Sequence, residues 1–164
     1  MAGKAEFYGQ KRTVFSRLLQ TVYKSDNSTY VEPELDWKTG DKVALLPTAT
    51  QSDHTDYMEI SVYDEVTGYI EFTEGLKYYH WGQEWSTADD YNDVDMRGEV
   101  VLLSRNVRVI GSDQDGLGGQ IVVTEHTESD GINRLGKFIF DNVEVYGCSQ
   151  SDTSKSAIRF ENSH

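Results

Sequence analysis

A short segment that occurs twice constrains the fold of this chain more than any other feature. Residues 106–111 read Asn-Val-Arg-Val-Ile-Gly, and residues 142–147 read Asn-Val-Glu-Val-Tyr-Gly, 36 positions later. Repeats of this length are typical of solenoids and propellers. Both copies keep the two valines that alternate along a strand and the closing glycine, while the solvent-side residue changes from Arg108 to Glu144. Stacked coils of one β-solenoid would produce this pattern; a chance similarity between two strands is the alternative.

Composition excludes several classes of partner. The 164 residues, of which 37% are apolar, suffice for one ordinary domain with a core. Fifteen basic side chains against 28 acidic ones give a formal net charge of −13, which repels nucleic acid and anionic membranes. No apolar stretch approaches the roughly 18 residues of a membrane span. The sequence therefore predicts no nucleic-acid partner and no membrane contact within this segment.

Two single occurrences bear on the compartment. Cys148 is the one cysteine, so no intrachain disulfide can form. The lack of disulfides would favour a reducing compartment, but this inference is weak because a stacked solenoid core needs no disulfides. It is most simply a small apolar filler. Asn27-Ser-Thr29 is the one Asn-x-Ser/Thr triplet, in a polar run that reads as an exposed loop. Asn27 is therefore a candidate for N-glycosylation, although such triplets also occur by chance.

The remaining patterns are those of a β protein with one ambiguous segment. Helical spacing of apolar residues predicts, on periodicity alone, a helix from Arg12 to Tyr23. From Asp36 onward, short β-branched and aromatic runs separated by turn residues predict strands. Residues 83–95 and 112–119 are acidic or Gly-rich and should project as surface loops. The predicted strands are Lys42–Leu46, Tyr57–Val62, Tyr69–Phe72, Glu99–Leu103, Val107–Ile110, Ile121–Thr124, Phe138–Phe140, Val143–Tyr146 and Ala157–Phe160.

Several segments together resemble one family. Residues 3–9 are similar to the closing strand of an eight-glycine domain, residues 35–43 to a W-x-x-G-D-x-(V/I) segment, and residues 75–80 to an L-x-Y-x-H strand end. Residues 95–106 resemble the long signature D-x-R-x-E-V-x-L-L-S-R-N, and residues 118–120 and 156–160 continue the correspondence in order. These motifs are shared by fibrocystin, fibrocystin-L and the cell-surface hyaluronidases, in which the eight-glycine domain runs into parallel β-helix repeats.

The strand pattern and this resemblance predict an all-β fold. We expect a right-handed parallel β-helix (β-solenoid) with a less regular β cap at the N-terminal side. Residues 1–95 would be the end of an eight-glycine-type domain and the cap, and residues 96–164 the β-helix coils, in one continuous structural unit. The resemblance also implies that residues 12–23 are extended rather than helical. It further implies that the chain is part of something longer, or that another copy docks on its open coil ends.

The hypothesis that the chain is a hydrolase depends on the family resemblance and on the positions of its carboxylates. Glycoside hydrolysis needs an acid and a second carboxylate, and Asp36 occupies the aspartate that the resemblance associates with activity. The next acid of the family pattern is missing at Ala49, although Asp53 and Asp56 follow, and Arg159-Phe-Glu161 replaces a histidine-containing segment. Alternatively, Asp36 and Asp41 each bond the backbone of their own turn.

The remaining polar motifs suit metal-binding or structural roles. Asp113 and Asp115 offer closely spaced oxygen ligands that suit calcium, the one cofactor that the sequence suggests, and an ordinary acidic turn is the alternative. The histidines lack zinc-site spacing, and His80 is expected to be structural. Asn106 and Asn142, one period apart, are expected to stack as an amide ladder, each side chain bonding the backbone of the next coil.

Four aromatic residues form a candidate contact surface. Tyr78, Tyr79, Trp81 and Trp85 lie together in the sequence beside an acidic loop. They could stack on sugars or contact another subunit, and packing within the cap is the alternative.

The sequence therefore favours a non-catalytic, fibrocystin-like β-solenoid with a structural or adhesive role. We expect it to be an extracellular or cell-surface glycoprotein whose copies stack end to end into filaments. A hyaluronan-type endo-hydrolase is the alternative, and Arg17, Arg97 and Arg105 would line its groove. A carbohydrate-binding module without catalysis is the third interpretation.

Overall fold

The chain is all-β, as the sequence predicts. The computed structural model describes residues 3–83, 95–112, 118–150 and 152–161, and these form fourteen strands and no helix. The strands are β1 (Lys4–Tyr8), β2 (Phe15–Arg17), β3 (Ser28–Tyr30), β4 (Lys42–Leu45), β5 (Asp56–Tyr63), β6 (Tyr69–Phe72), β7 (Glu99–Leu102), β8 (Val107–Ile110), β9 (Ile121–Thr124), β10 (His126–Thr127), β11 (Asn133–Arg134), β12 (Lys137–Asp141), β13 (Val143–Tyr146) and β14 (Ile158–Glu161).

The chain divides into two compact units. Residues Arg12–Ser104 form one, here called the sheet unit, and Met1–Lys11 together with Arg105–His164 form the other, here called the paired-strand unit. The first eleven residues thus group with the C-terminal part of the chain, and the expected division after residue 95 stays a prediction. The assignment of these parts to an eight-glycine-type domain and to β-helix coils stays a prediction.

The sheet unit is one antiparallel sheet that curls on itself. Its six strands run in the order β2-β7-β4-β5-β6-β3. An antiparallel bridge between Leu18 and Val31 joins the ends of β2 and β3, and the Leu19 amide donates to the Tyr30 carbonyl at 2.8 Å. The two edge strands thus pair with each other as well, which protects their backbone groups from pairing with other chains.

Alternation along the strands fills the interior of this sheet. On β5, Asp56, Met58 and Ile60 are buried while the residues between them face solvent, as expected of a strand with one face inward. The same pattern on β6 and β7 places apolar residues in the core. The core comprises Leu18, Val22, Val31, Leu35, Trp37, Val43, Leu45, Met58, Ile60, Ile70, Phe72, Leu76, Val100 and Leu102.

Residues 12–23 are extended, so the helix indicated by periodicity is wrong and the resemblance-based expectation is confirmed. The segment contains β2 and ends in an antiparallel bridge between Val22 and His80. Its apolar spacing reflects where the chain crosses the core: Leu18 and Val22 are buried, whereas Leu19 between them is exposed.

The described residues of the paired-strand unit form three parallel strand pairs and a hairpin. Strand β1 pairs with β12, β8 with β13, and β9 with β14, all parallel. The repeated segments are in register, since Val107 lies opposite Val143 and Val109 opposite Val145. Strands β10 and β11 form an antiparallel hairpin between β9 and β12. The 36-residue repeat is therefore a spatial repeat of paired strands.

The closing glycine of the repeat has a different physical reason in each copy. Gly147 adopts a φ of +60°, a left-handed conformation that glycine tolerates at no steric cost. Gly111 has no such requirement, but a Cβ on it would collide with the Gly147 carbonyl oxygen and the Gly119 amide nitrogen. Two backbones therefore approach each other closely where the copies meet.

Candidate functional site

The sheet unit contains an open cleft of about 530 Å³ beside β2 and β7. Arg17 projects from β2 and Glu99 from β7, while the segment after β4 supplies the opposite wall. Its lining residues are Arg17, Leu46, Pro47, Thr48, Ala49, Thr50, Ser52, Asp95, Met96, Arg97, Gly98 and Glu99. Arg17 and Arg97, predicted to line a groove, are indeed brought together, whereas Arg105 belongs to the other unit.

The charged residues of this cleft neutralise one another. Arg17 lies 3.1 Å (Nε) from Asp95 Oδ2 and 3.3 Å (Nη2) from Glu99 Oε1. Arg97 donates to both oxygens of Asp95, at 3.0 Å (Nε to Oδ1) and 2.8 Å (Nη2 to Oδ2). The charged positions of the D-x-R-x-E signature, Asp95, Arg97 and Glu99, thus join one ion-pair cluster with Arg17. This role of the signature could not be read from its spacing.

The electrostatics of the cleft oppose acid catalysis. Hydrogen bonding to Arg97 lowers the pKa of Asp95 to about 2. A glycosidase needs one carboxyl group whose pKa is raised, so that it still holds a proton to donate to the leaving oxygen. Asp95 is shifted in the opposite direction, and Ala49 supplies no acid to the cleft.

Asp36 is held by a neighbouring segment rather than poised for chemistry. Its Oδ1 accepts from the Thr13 amide at 3.0 Å, and its Oδ2 lies 3.3 Å from Arg12 Nε. Arg12 also makes a bidentate contact with the buried Asp41 at 3.0 and 2.8 Å, which raises the pKa of the guanidinium. Asp41 accepts in addition from the Lys38 amide at 2.9 Å, closing its own turn. The turn alternative fits Asp41, while Asp36 binds across to another segment.

The two later acids differ from each other. Asp53 is exposed, whereas Asp56 is buried at the start of β5 and accepts backbone hydrogen bonds from Lys77 and Tyr78 at 3.0 Å each. His80 Nε2 lies 3.0 Å from Asp56 Oδ2, and His80 Nδ1 lies 3.0 Å from the Leu46 carbonyl oxygen. His80 is therefore a satisfied structural histidine, as expected. Its partner Asp56 lies 24 residues earlier, and no local sequence pattern indicates the contact.

Three of the four residues of the predicted aromatic surface are described by the structure. Tyr79 is exposed and packs on Tyr23 with ring centroids 5.5 Å apart. Tyr78 is half-buried and stacks on His54 at 4.2 Å. Trp81 is half-buried, and its indole donates to the Gln83 carbonyl at 2.7 Å. The three described rings have different neighbours, and the aromatic contact surface stays a prediction.

Some predicted positions lie outside the described residues. Trp85, Asp113 and Asp115 are among these, as are most of the two predicted surface loops. Within the described ranges, no group of three or more His, Cys, Asp or Glu side chains could hold a metal ion. The calcium site therefore stays a prediction.

The amide ladder expected in the paired-strand unit does not form. Asn106 Oδ1 accepts from the Gln10 amide at 2.7 Å, whereas Asn142 Nδ2 donates to Asp141 Oδ1, its neighbour in sequence, at 2.7 Å. Asn142 also adopts a φ of +55°, which turns the chain between β12 and β13. Cys148 is half-buried beside Gly119, consistent with a small filler.

Relatives of this chain are distant and much longer. No protein-family model matches it. It is 28% identical over 127 residues to Protein rliB of Dictyostelium discoideum, covering 75% of this chain and 10% of that protein. A G8 domain-containing protein of the same organism is 24% identical over 128 residues, covering 77% of this chain and 8% of the relative. Human fibrocystin-L is 20% identical over 154 residues, covering 90% of this chain and 4% of the relative.

Its distant homologues are G8 domain-containing proteins and fibrocystin-L. They support a fibrocystin-like family, which the sequence motifs also indicated. The link to hyaluronidases and the eight-glycine domain stay predictions. The chain spans a tenth or less of the length of these three relatives. The described residues contain no helix long and apolar enough to cross a membrane.

Proposed function

We propose that this chain is a non-catalytic structural module of an extracellular, fibrocystin-like protein, built around two successive coils of a right-handed parallel β-solenoid. The observation that carries the proposal is the set of three parallel pairs. Strand β1 pairs with β12, β8 with β13 and β9 with β14. The partners therefore follow one another along the chain in the same order as the strands that they pair with. Two successive coils with three strands each would produce this order.

Side chains support this interpretation at the repeated segment. Arg108 Nε lies 2.7 Å from Glu144 Oε2, so the varying solvent-side position of the repeat forms an ion pair between the coils. The apolar residues of β8 and β13 are only half-buried or exposed. A stack of just two coils leaves much of its interior row uncovered, which further coils would bury.

The charge distribution of the cleft favours a structural over a catalytic role. The cleft carboxylates Asp95 and Glu99 form ion pairs with Arg17, and the pKa of Asp95 is lowered rather than raised. An extracellular location is supported by the fibrocystin-like relatives, and the net charge of −13 suits a hydrated exterior.

We propose a second copy of this chain as the partner for the outer edges of strands β8 and β13. Among the described residues, β8 and β13 pair only with each other. Each strand therefore has one backbone edge without a strand partner there, beside Glu144 on β13 and beside Arg108 on β8. Stacking the β13 edge of one copy on the β8 edge of the next would repeat the Arg108–Glu144 ion pair and the strand register. Filaments of this kind would be structural polymers.

Electron microscopy and light scattering of the purified chain over a range of concentrations test the proposal. We expect concentration-dependent assemblies that Glu144→Arg weakens and that the charge swap Arg108→Glu with Glu144→Arg restores. Lys155→Glu, a reversal at an exposed position away from these strands, is the matched control. Dispersed monomers at all concentrations would contradict self-association, and release of hyaluronan fragments abolished by Asp36→Asn would contradict the non-catalytic role.

A further inference from the structure

We infer that Asn27 is a site of N-glycan attachment, an inference that rests on the proposed extracellular location. The side chain is exposed, and its amide makes no hydrogen bond to the described residues. Only the backbone carbonyl is used by the fold, accepting from the Phe72 amide at 2.8 Å. A glycan on Nδ2 would therefore displace no contact of the folded sheet unit.

The turn that presents Asn27 is firmly anchored. The Ser25 amide donates to the Leu76 carbonyl and the Leu76 amide donates to the Asp26 carbonyl, both at 2.8 Å. The Tyr23 amide donates to Asp26 Oδ2 at 2.8 Å. Because the turn is tied to the core segment around Leu76, a bulky solvated group at Asn27 stays at the surface in the folded state.

The third residue of the triplet determines when attachment can occur. Thr29 is 2% exposed, and its Oγ1 donates to the Gln20 carbonyl at 3.2 Å. A transferase that recognises the Asn-x-Thr triplet through this hydroxyl cannot reach it once β3 has paired with β6. Transfer must therefore precede folding of the sheet unit.

The reaction is an ordinary group transfer without redox change. Asn27 Nδ2 attacks the anomeric carbon of an oligosaccharide linked through diphosphate to a lipid carrier. The new carbon–nitrogen bond forms as the carbon–oxygen bond to the diphosphate breaks. The lipid diphosphate leaves with the electron pair, and the proton lost from Nδ2 passes to solvent.

The test is secretion of the full chain from cultured eukaryotic cells behind a signal peptide, followed by intact-mass measurement before and after peptide N-glycosidase. We expect a glycan-sized mass that the enzyme removes while converting Asn27 to Asp. Asn27→Gln should be secreted and folded without this mass, and Thr29→Ser, which keeps both the triplet and the buried hydroxyl, should retain it.

A secreted, folded chain whose Asn27 peptide is wholly unmodified would overturn the inference. That result would leave the proposed solenoid function intact, because self-association is measured separately on glycan-free protein. Conversely, glycosylated monomers that never associate would support the site at Asn27 and contradict only the proposed assembly.

Discussion

His80 Nε2 lies 3.0 Å from Asp56 Oδ2, and both side chains are almost completely buried in the sheet unit. The other ring nitrogen of His80 faces the Leu46 carbonyl oxygen. Both ring nitrogens therefore lie within hydrogen-bond distance of an oxygen atom. The Asp56 carboxylate also accepts hydrogen bonds from two backbone amides, those of Lys77 and Tyr78. The pair thus joins the end of β4, the start of β5 and the segment before residue 80.

Breaking this pair should strongly destabilise the sheet unit. Asp56→Asn replaces a carboxylate oxygen that faces the buried His80 ring and leaves buried polar groups incompletely hydrogen-bonded, and we expect a loss of about 1–3 kcal/mol in the free energy of unfolding. Asp36→Asn, at a more exposed ion pair of the same unit, is the matched control and should cost about 1 kcal/mol or less. Urea unfolding measures both. Equal losses for the two variants would contradict the assigned difference in burial.

Acidification should remove the contribution of Asp95 to the free energy of unfolding in a defined pH window. The folded-state pKa of Asp95 is depressed to about 2, chiefly by hydrogen bonding to Arg97. A depressed pKa contributes stability above the unfolded value near 3.8, and this contribution is lost as the pH falls towards 2. The stability difference between the natural chain and Asp95→Asn should therefore be present at pH 5 and shrink towards pH 2. It should be small and salt-sensitive, because the carboxylate is partly exposed.

A difference that stays constant from pH 5 to pH 2 would show that Asp95 acts through packing rather than through its charge. Arg97→Gln provides the converse check, since it removes the group that lowers the pKa. In that variant, the Asp95→Asn substitution should change stability less at pH 5.

Gly111→Ala should destabilise the paired-strand unit. The added methyl group would collide with the backbone of Gly147 and Gly119, and overpacking of this kind costs about 1–3 kcal/mol or more. Gly3→Ala is the matched control, because a Cβ there meets nothing within 4 Å. Thermal unfolding followed by circular dichroism compares the two. If Gly111→Ala unfolds at the temperature of the control, the close approach of the two repeats is wrong.

Local pattern predicts the strands of this protein better than their partners. Strands such as Val107–Ile110 and Val143–Tyr146 were identified to the residue, because β-branched alternation and flanking turn residues are local properties. The pairing of β1 with β12 joins residues more than 130 positions apart, and no local signal specifies it. The same holds for Asp56 and His80, whose partnership depends on how three segments meet in the core.

The ambiguous segment 12–23 shows where periodicity fails. Leu18 and Val22 are spaced as on a helix, but they are buried because an extended chain passes the core at two points. The motif around Asp36 could be identified, yet its partner Arg12 could not. That contact depends on the packing of two loops.

The most direct test of the account is whether the two copies of the repeat lie side by side in solution. Arg108→Cys with Glu144→Cys, in a Cys148→Ser background, places two cysteines on directly opposed residues of β8 and β13, within the Cα separation that a disulfide spans. We predict an intramolecular disulfide under mild oxidation, formed in the folded chain and absent when Arg108→Cys is combined with Lys155→Cys. Freely alkylated thiols in the folded first variant would contradict stacking of the 36-residue repeat, and with it the proposed solenoid.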